Sequence, residues 1–139
     1  KAIEYEYIAE YLRGVFDRCE VQLIGFDRYN IKFLRPWLEK AGFSPRELER
    51  FVEFGQGTAS MTPALRELEV RLRNKQLKHG NNPLLNMCAA NAVVVGDSGA
   101  RQFDKARARG RIDGMVALAM AVGVMPTTVE RKEYQMLIV

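Results

Sequence analysis

Two aspartates in this chain stand where carboxylates do metal chemistry. Asp113 opens the segment Arg111-Ile112-Asp113-Gly114-Met115-Val116-Ala117-Leu118-Ala119-Met120-Ala121-Val122-Gly123. At 3.6 residues per turn, positions 113, 116, 117, 120, 121 and 124 form one stripe, and five of those six are Val, Ala or Met. A carboxylate on such a face is costly without a partner that requires negative charge, and a metal ion is one such partner. The free N–H groups and dipole of a helix N-terminus are the alternative. Asp27 follows the apolar run Val21-Gln22-Leu23-Ile24-Gly25-Phe26, which places it at the carboxyl end of a strand, where sites in α/β sheets gather. Gly114, Ala117 and Ala121 keep one helix face small, so the helix can approach the sheet and carry Asp113 toward that strand end. Two carboxylates brought together repel unless cations bind between them. Few oxygen ligands suit Mg²⁺ or Mn²⁺, and two such ions roughly 4 Å apart catalyse in-line phosphodiester cleavage. Asp27 and Asp113 are therefore the expected catalytic and metal-ligating pair.

A basic run leads directly into this site. Arg101, Lys105, Arg107, Arg109 and Arg111 fall within eleven residues and are opposed only by Asp104. The chain as a whole carries +4, a mild excess compatible with a polyanionic partner. The position of the run before the candidate acid makes these five residues the expected contacts to a DNA backbone. Plainer readings stand beside each assignment. Asp after a strand is commonly a turn residue or helix cap. The basic run could be a solvated loop. His79, the single histidine, sits in a turn cluster that favours exposure; Asp97 and Asp104 flank a hairpin, and Glu53 alternates with Val52 and Phe54 as a solvent-facing residue would. Other chemistries lack their residues. There is no glycine-rich phosphate loop ending in Lys-Ser or Lys-Thr. Gly55-Gln56-Gly57 is too short for a nucleotide fingerprint. No His lies near either Cys in sequence, and no serine elbow is visible.

The elements that must position these residues can be read from periodicity and turn signals. A helix over 4–18 is followed by a strand over 21–26, a helix over 30–41 with Pro36 inside it, and a strand over 51–54 closed by Gly55-Gln56-Gly57. Thr62-Pro63 predicts an N-cap with proline at the first helical position, so a helix over 63–74. Residues 83–91 read as a helix, 92–95 as a strand, 96–99 as a tight turn, 101–103 as a returning hairpin strand, and 112–124 as the last helix, stopped by Pro126. Alternating strands and helices predict an α/β domain around a central, partly parallel sheet.

At 139 residues the chain fits one domain, here 1–139, with 125–139 a C-terminal tail. The 47% hydrophobic content supports a core, and no run of 18 apolar residues exists to span a membrane. Cys19 and Cys88 are too few for a disulfide scaffold or zinc site and are expected as buried free thiols of a reducing compartment. The opening Lys1-Ala2-Ile3-Glu4-Tyr5 lacks both a signal-peptide pattern and an initiator Met, which suggests a fragment.

Several segments occur together in an ordered set: Ile24-Gly25-Phe26-Asp27-Arg28-Tyr29, Phe54-Gly55-Gln56-Gly57, Ser60-Met61-Thr62-Pro63, His79-Gly80-Asn81-Asn82-Pro83, Asn91-Ala92-Val93-Val94 and Arg111-Ile112-Asp113-Gly114-Met115-Val116-Ala117-Leu118. Over roughly residues 5–123 they resemble the C-terminal nuclease domain of the terminase large subunit of tailed bacteriophages. The resemblance implies a ribonuclease H-like fold, a central mixed sheet flanked by helices, and a nuclease that cuts concatemeric viral DNA during packaging with divalent metals held by acids. It maps the strand-end acid onto Asp27 and the last-helix acid onto Asp113, in agreement with the reading of the residues themselves. It also implies a further acid on a first strand that lies upstream of everything here, so the chain is expected to be N-terminally truncated, with the first strand missing. Such a piece should hold metal weakly and expose a sheet edge that invites dimerisation. The implied partners are double-stranded DNA, an upstream ATPase motor domain of the same polypeptide, the small terminase subunit and the portal protein, with no membrane, in the cytoplasm of the bacterial host. Two other readings remain: a ribonuclease H-like recombination nuclease such as a resolvase or transposase core, and a noncatalytic DNA-binding or assembly module whose acids are caps.

Overall fold

A computed structural model describes residues 4–29 and 31–126 of the chain. The described residues form a mixed α/β structure in the order α1 (Tyr5–Arg18), β1 (Ile24–Phe26), α2 (Ile31–Lys40), α3 (Pro45–Leu48), β2 (Phe51–Glu53), α4 (Thr58–Arg73), α5 (Pro83–Asn91), β3 (Val94–Gly96), β4 (Arg101–Phe103) and α6 (Asp113–Val124). The strands form two ribbons among the described residues instead of the single mixed sheet the sequence suggested. β1 and β2 are parallel, with Ile24 opposite Phe51 and Phe26 opposite Glu53; β3 and β4 are antiparallel, with Val94 opposite Phe103. Parallel pairing requires a crossover, which α2 and α3 supply. Of the expected tail, residues 127–139 lie outside the described residues.

Two apolar clusters hold these pieces. In the first, Ala9 of α1 and Leu38 of α2 are buried with Phe43, and three rings interlock: Phe16 packs edge-on to Phe43 at 5.0 Å and stacks on Phe51 at 5.9 Å. β1–β2 thereby rests on the α1–α2 layer. In the second, Phe54, Met61, Leu65 and Leu68 meet Val116, Ala119 and Met120, so α4 packs along α6. The fit at this contact requires Gly123, because a Cβ there would stand 2.5 Å from Phe54 Cε2 and 2.9 Å from Ala64 Cβ. Gly96, at φ +105°, ends β3 where a side chain would collide with the Ala100 carbonyl.

Three local expectations need correction. α4 begins at Thr58, with Gly57 in extended geometry as its N-cap and the Gly57 carbonyl accepting from the Ser60 and Met61 N–H groups. Thr62 is therefore inside the helix and buried: its hydroxyl accepts from the Arg101 N–H at 2.8 Å and donates to the Arg101 carbonyl at 3.3 Å. A cap-forming residue has here been recruited to hold a hairpin strand, and Pro63 follows within the helix. Second, α3 is an added element, capped by a reciprocal box in which Ser44 and Glu47 bond each other's backbone N–H. Third, Cys88 is buried as expected but Cys19, in the segment after α1, is exposed.

Candidate metal centre and nucleic-acid interface

Asp27 and Asp113 open onto one groove of about 500 Å³ between β1 and α6. The stripe read from sequence does face β1: Asp113, Val116, Ala117, Met120, Ala121 and Val124 all line this groove. Gly25 permits the close approach, since a Cβ there would lie 3.0 Å from Val124 Cγ1. The face is only partly buried: Val116 and Met120 are covered, as expected. Ala117 and Ala121 are exposed, and the Asp113 side chain is 82% exposed. Asp113 is the first residue of α6, where free N–H groups of the first turn favour an acid. It is thus a solvated carboxylate at the groove mouth, not an acid sealed in a core. Arg111 approaches it at 3.8 Å, with both side chains largely in solvent.

Asp27 is exposed as well, and donors meet both of its oxygens. The Tyr29 N–H donates to Oδ1 at 3.3 Å, and Gln56 Nε2 donates to Oδ2 at 2.7 Å. Gln56 Oε1 in turn accepts from Lys105 Nζ at 3.0 Å. Gln56 belongs to the Gly55-Gln56-Gly57 link after β2, too short for a nucleotide fingerprint, and no local signal marks these contacts. Its placement at the carboxyl end of β2, the parallel neighbour of β1, is the signal a topology would have supplied. The donor set suits a hard divalent cation that keeps several waters: two carboxylates open onto one groove, with space for water. No cluster of three or more His, Cys, Asp or Glu able to hold a metal is present among the described residues.

The five basic residues divide. Lys105 lines the groove, whereas Arg107, Arg109 and Arg111 are exposed and do not line it. Arg107 pairs loosely with Asp104 at 3.4 Å, and the Arg109 N–H reaches the Asn91 carbonyl at 3.4 Å. Arg101 is different. Its guanidinium donates through both terminal nitrogens to Glu69, at 2.9 and 2.6 Å, and its side chain is only 21% exposed. The pair pushes the Arg101 pKa up and the Glu69 carboxyl down, the hydrogen bonds being the main cause. Arg101 is engaged in fastening β4 to α4 and points no free charge at a phosphate. His79, Asp97 and Glu53 are exposed as the plain readings had it, and Asp97 accepts from the Gly99 and Ala100 N–H groups as a turn residue does.

Residues 1–128 match the family described as terminase large subunit, endonuclease domain. This chain belongs to that family. It is 40% identical over 123 residues to the terminase large subunit of Enterobacteria phage HK97, covering 88% of this chain and 24% of that protein. It is 27% identical over 124 residues to the protein YmfN of Escherichia coli strain K12, covering 87% of this chain and 26% of that one. The crystal structure of the HK97 bacteriophage large terminase superposes with a TM-score of 0.77 at 40% identity, over 87% of this chain and 25% of that chain. The chain therefore spans about a quarter of the length of the relatives it matches.

Proposed function

We propose that this chain is the divalent-metal-dependent DNA endonuclease unit of a phage terminase large subunit, with a ribonuclease H-like fold, which cuts concatemeric viral DNA during packaging. The observation that carries this reading is the shared groove: Asp27 and Asp113, far apart in sequence, line it together with Lys105. The parallel β1–β2 pair, crossed by helices and flanked by α1 and α6, and the similarity to the HK97 large terminase support the fold reading.

In this reading Asp27 and Asp113 hold Mg²⁺ or Mn²⁺ through their carboxylate oxygens. Such ions, when bound, supply Lewis-acid activation of water and neutralise charge gathering on the phosphate. The chain's own residues bind and orient. Lys105 meets a backbone phosphate at the groove, and Arg107, Arg109 and Arg111 hold the duplex on either side. Contacts of this kind carry no sequence information, so cleavage should be largely nonspecific and binding should weaken steeply with salt. The larger polypeptide would supply the further acid, the ATPase motor, and the surfaces for the small terminase subunit and the portal, in the cytoplasm of the bacterial host. No helix among the described residues is long and apolar enough to cross a membrane.

A second reading is favoured by the local roles of the two acids. Asp27 accepts the N–H two residues on, as a turn aspartate does, and Asp113 begins a helix. A noncatalytic DNA-binding module would need no more. Nicking of supercoiled plasmid by the full-length polypeptide in Mn²⁺, with Asp113→Asn as control, separates the two. Cleavage abolished by the substitution supports the nuclease; salt-sensitive DNA binding with no response to Mn²⁺ supports the module.

A further inference from the structure

The Gln56 side chain joins two groups that the proposed reaction would use for different purposes. Asp27 is acceptor-only and Lys105 is donor-only, so one amide can serve both in a single orientation: nitrogen toward the carboxylate, oxygen toward the ammonium. The orientation is fixed by its neighbours. Asp27 Oδ2 is thereby pinned from the β2 side at 2.7 Å, while the Tyr29 N–H limits rotation from the other side at 3.3 Å. Asp27 is exposed, and without these donors an exposed aspartate at a strand end would sample several rotamers. Lys105 is also exposed, and its long stem would leave the ammonium unplaced without an acceptor. The three side chains and Asp113 share one groove.

We propose that Gln56 is the positioning residue of this site, orienting Asp27 for metal and holding Lys105 at the groove for a DNA phosphate. The proposal rests on the nuclease reading above and adds a residue with no charge and no direct part in the chemistry. Its physical logic is that of outer-shell partners, which fix a ligand's orientation by hydrogen bonding, each carboxylate oxygen keeping a second lone pair for metal. The amide also couples the two sides of the groove: the loop after β4 that carries Lys105, and the β1 end that carries Asp27.

The test uses Gln56→Met in the full-length polypeptide, which removes both hydrogen bonds at similar side-chain length. Mn²⁺ affinity is measured by calorimetry without DNA, and the Mn²⁺ concentration for half-maximal plasmid nicking is measured separately. The Mn²⁺ dissociation constant and the half-maximal concentration should both rise about tenfold to a hundredfold, the usual cost of losing an outer-shell partner. Melting temperature should stay at its wild-type value, so a purely structural role would not imitate the result, and DNA affinity at fixed salt should fall modestly as Lys105 loses its acceptor. Gln56→Asn, one methylene too short to span both partners, should behave like the Met variant and carries the test if the Met variant folds poorly. Lys105→Met combined with Gln56→Met should be non-additive in the nicking assay, because the two residues act as one unit. An unchanged Mn²⁺ profile in both Gln56 variants overturns the positioning role alone, and strict additivity overturns the link to Lys105. A wild-type protein that neither binds Mn²⁺ nor nicks DNA overturns the nuclease reading and this proposal together.

Discussion

Between α1 and α3, Arg13 donates to Asp17 at 3.0 Å and to Glu47 at 2.9 Å and lies over the Phe43 ring at 4.6 Å. Beside α6, Asp113 meets only Arg111, at 3.8 Å. The first charge cluster is closed on itself: Glu47 also accepts from the Ser44 N–H and hydroxyl, so its oxygens serve a helix cap and an ion pair at once. The second is open, with carboxylates and ammonium facing a groove. Closed clusters fasten elements, as Arg101–Glu69 fastens β4 to α4. Open clusters leave charge available to a ligand. The difference marks the open cluster, rather than the whole basic run, as the candidate for ligand binding.

Substitutions should break this comparison in opposite directions. The largest effect is expected at the open site. Asp113→Asn should lower nicking by more than about a hundredfold, since even outer-shell partners of a metal cost up to that much. Its melting temperature should be unchanged, because the side chain is solvated. Next comes the apolar layer beneath the closed cluster: Leu38→Ala, at a 1% exposed position, should cost about 2–5 kcal/mol in denaturant unfolding. That substitution should leave Mn²⁺ affinity intact in the protein that remains folded. Smaller and more telling is the contrast within the basic run. Lys105→Ala and Arg111→Ala should each reduce the slope of log affinity against log salt by about 0.9, with no loss of stability. Arg101→Ala should do the reverse, lowering the melting temperature and leaving the salt slope alone.

The smallest effect is a pH dependence carried by the closed clusters, most strongly by Glu47. The Arg13 hydrogen bond, followed by those from Ser44, holds the Glu47 pKa at about 2, below its ordinary value of 4.5. A carboxyl whose folded pKa is depressed contributes stability that is full above the unfolded value and is lost as pH falls through the folded one. Acid unfolding of the wild type should therefore steepen between pH 4.5 and about 2, and Glu47→Gln should flatten the curve over that window.

Much of this arrangement was legible in the sequence where the signal is local. The helices over 5–18 and 113–124 follow from apolar spacing, the hairpin from its Gly-Asp-Ser-Gly turn, and α5 from Asn82-Pro83, where Asn82 caps the Leu84 and Leu85 N–H groups. Asp27 and Asp113 were identifiable as a pair because each ends or begins an element. The Ser44-Pro45-Arg46-Glu47 segment carries a local capping-box pattern, and α3 forms on it. What the sequence withheld depends on distant partners. Arg101 looks like its basic neighbours until Glu69, 32 positions away, is placed beside it. Gln56 looks like a loop residue until Lys105, 49 positions on, arrives at its oxygen. Thr62 reads as a cap because its type and the following proline favour one, yet a tertiary bond to Arg101 claims its hydroxyl. The exposure of Asp113 was hidden for a related reason: periodicity gives the face a residue occupies, not whether that face is covered.

The central claim is that Asp27 and Asp113 form one cation site across the β1–α6 groove. Mn²⁺ binding to the full-length polypeptide, followed by electron paramagnetic resonance for the wild type, Asp27→Asn, Asp113→Asn and the double variant, tests it most directly. Each single substitution should weaken the same binding event, and the double variant should add little. Mn²⁺ binding that is indifferent to either aspartate, or losses that add as for two unrelated sites, would contradict it.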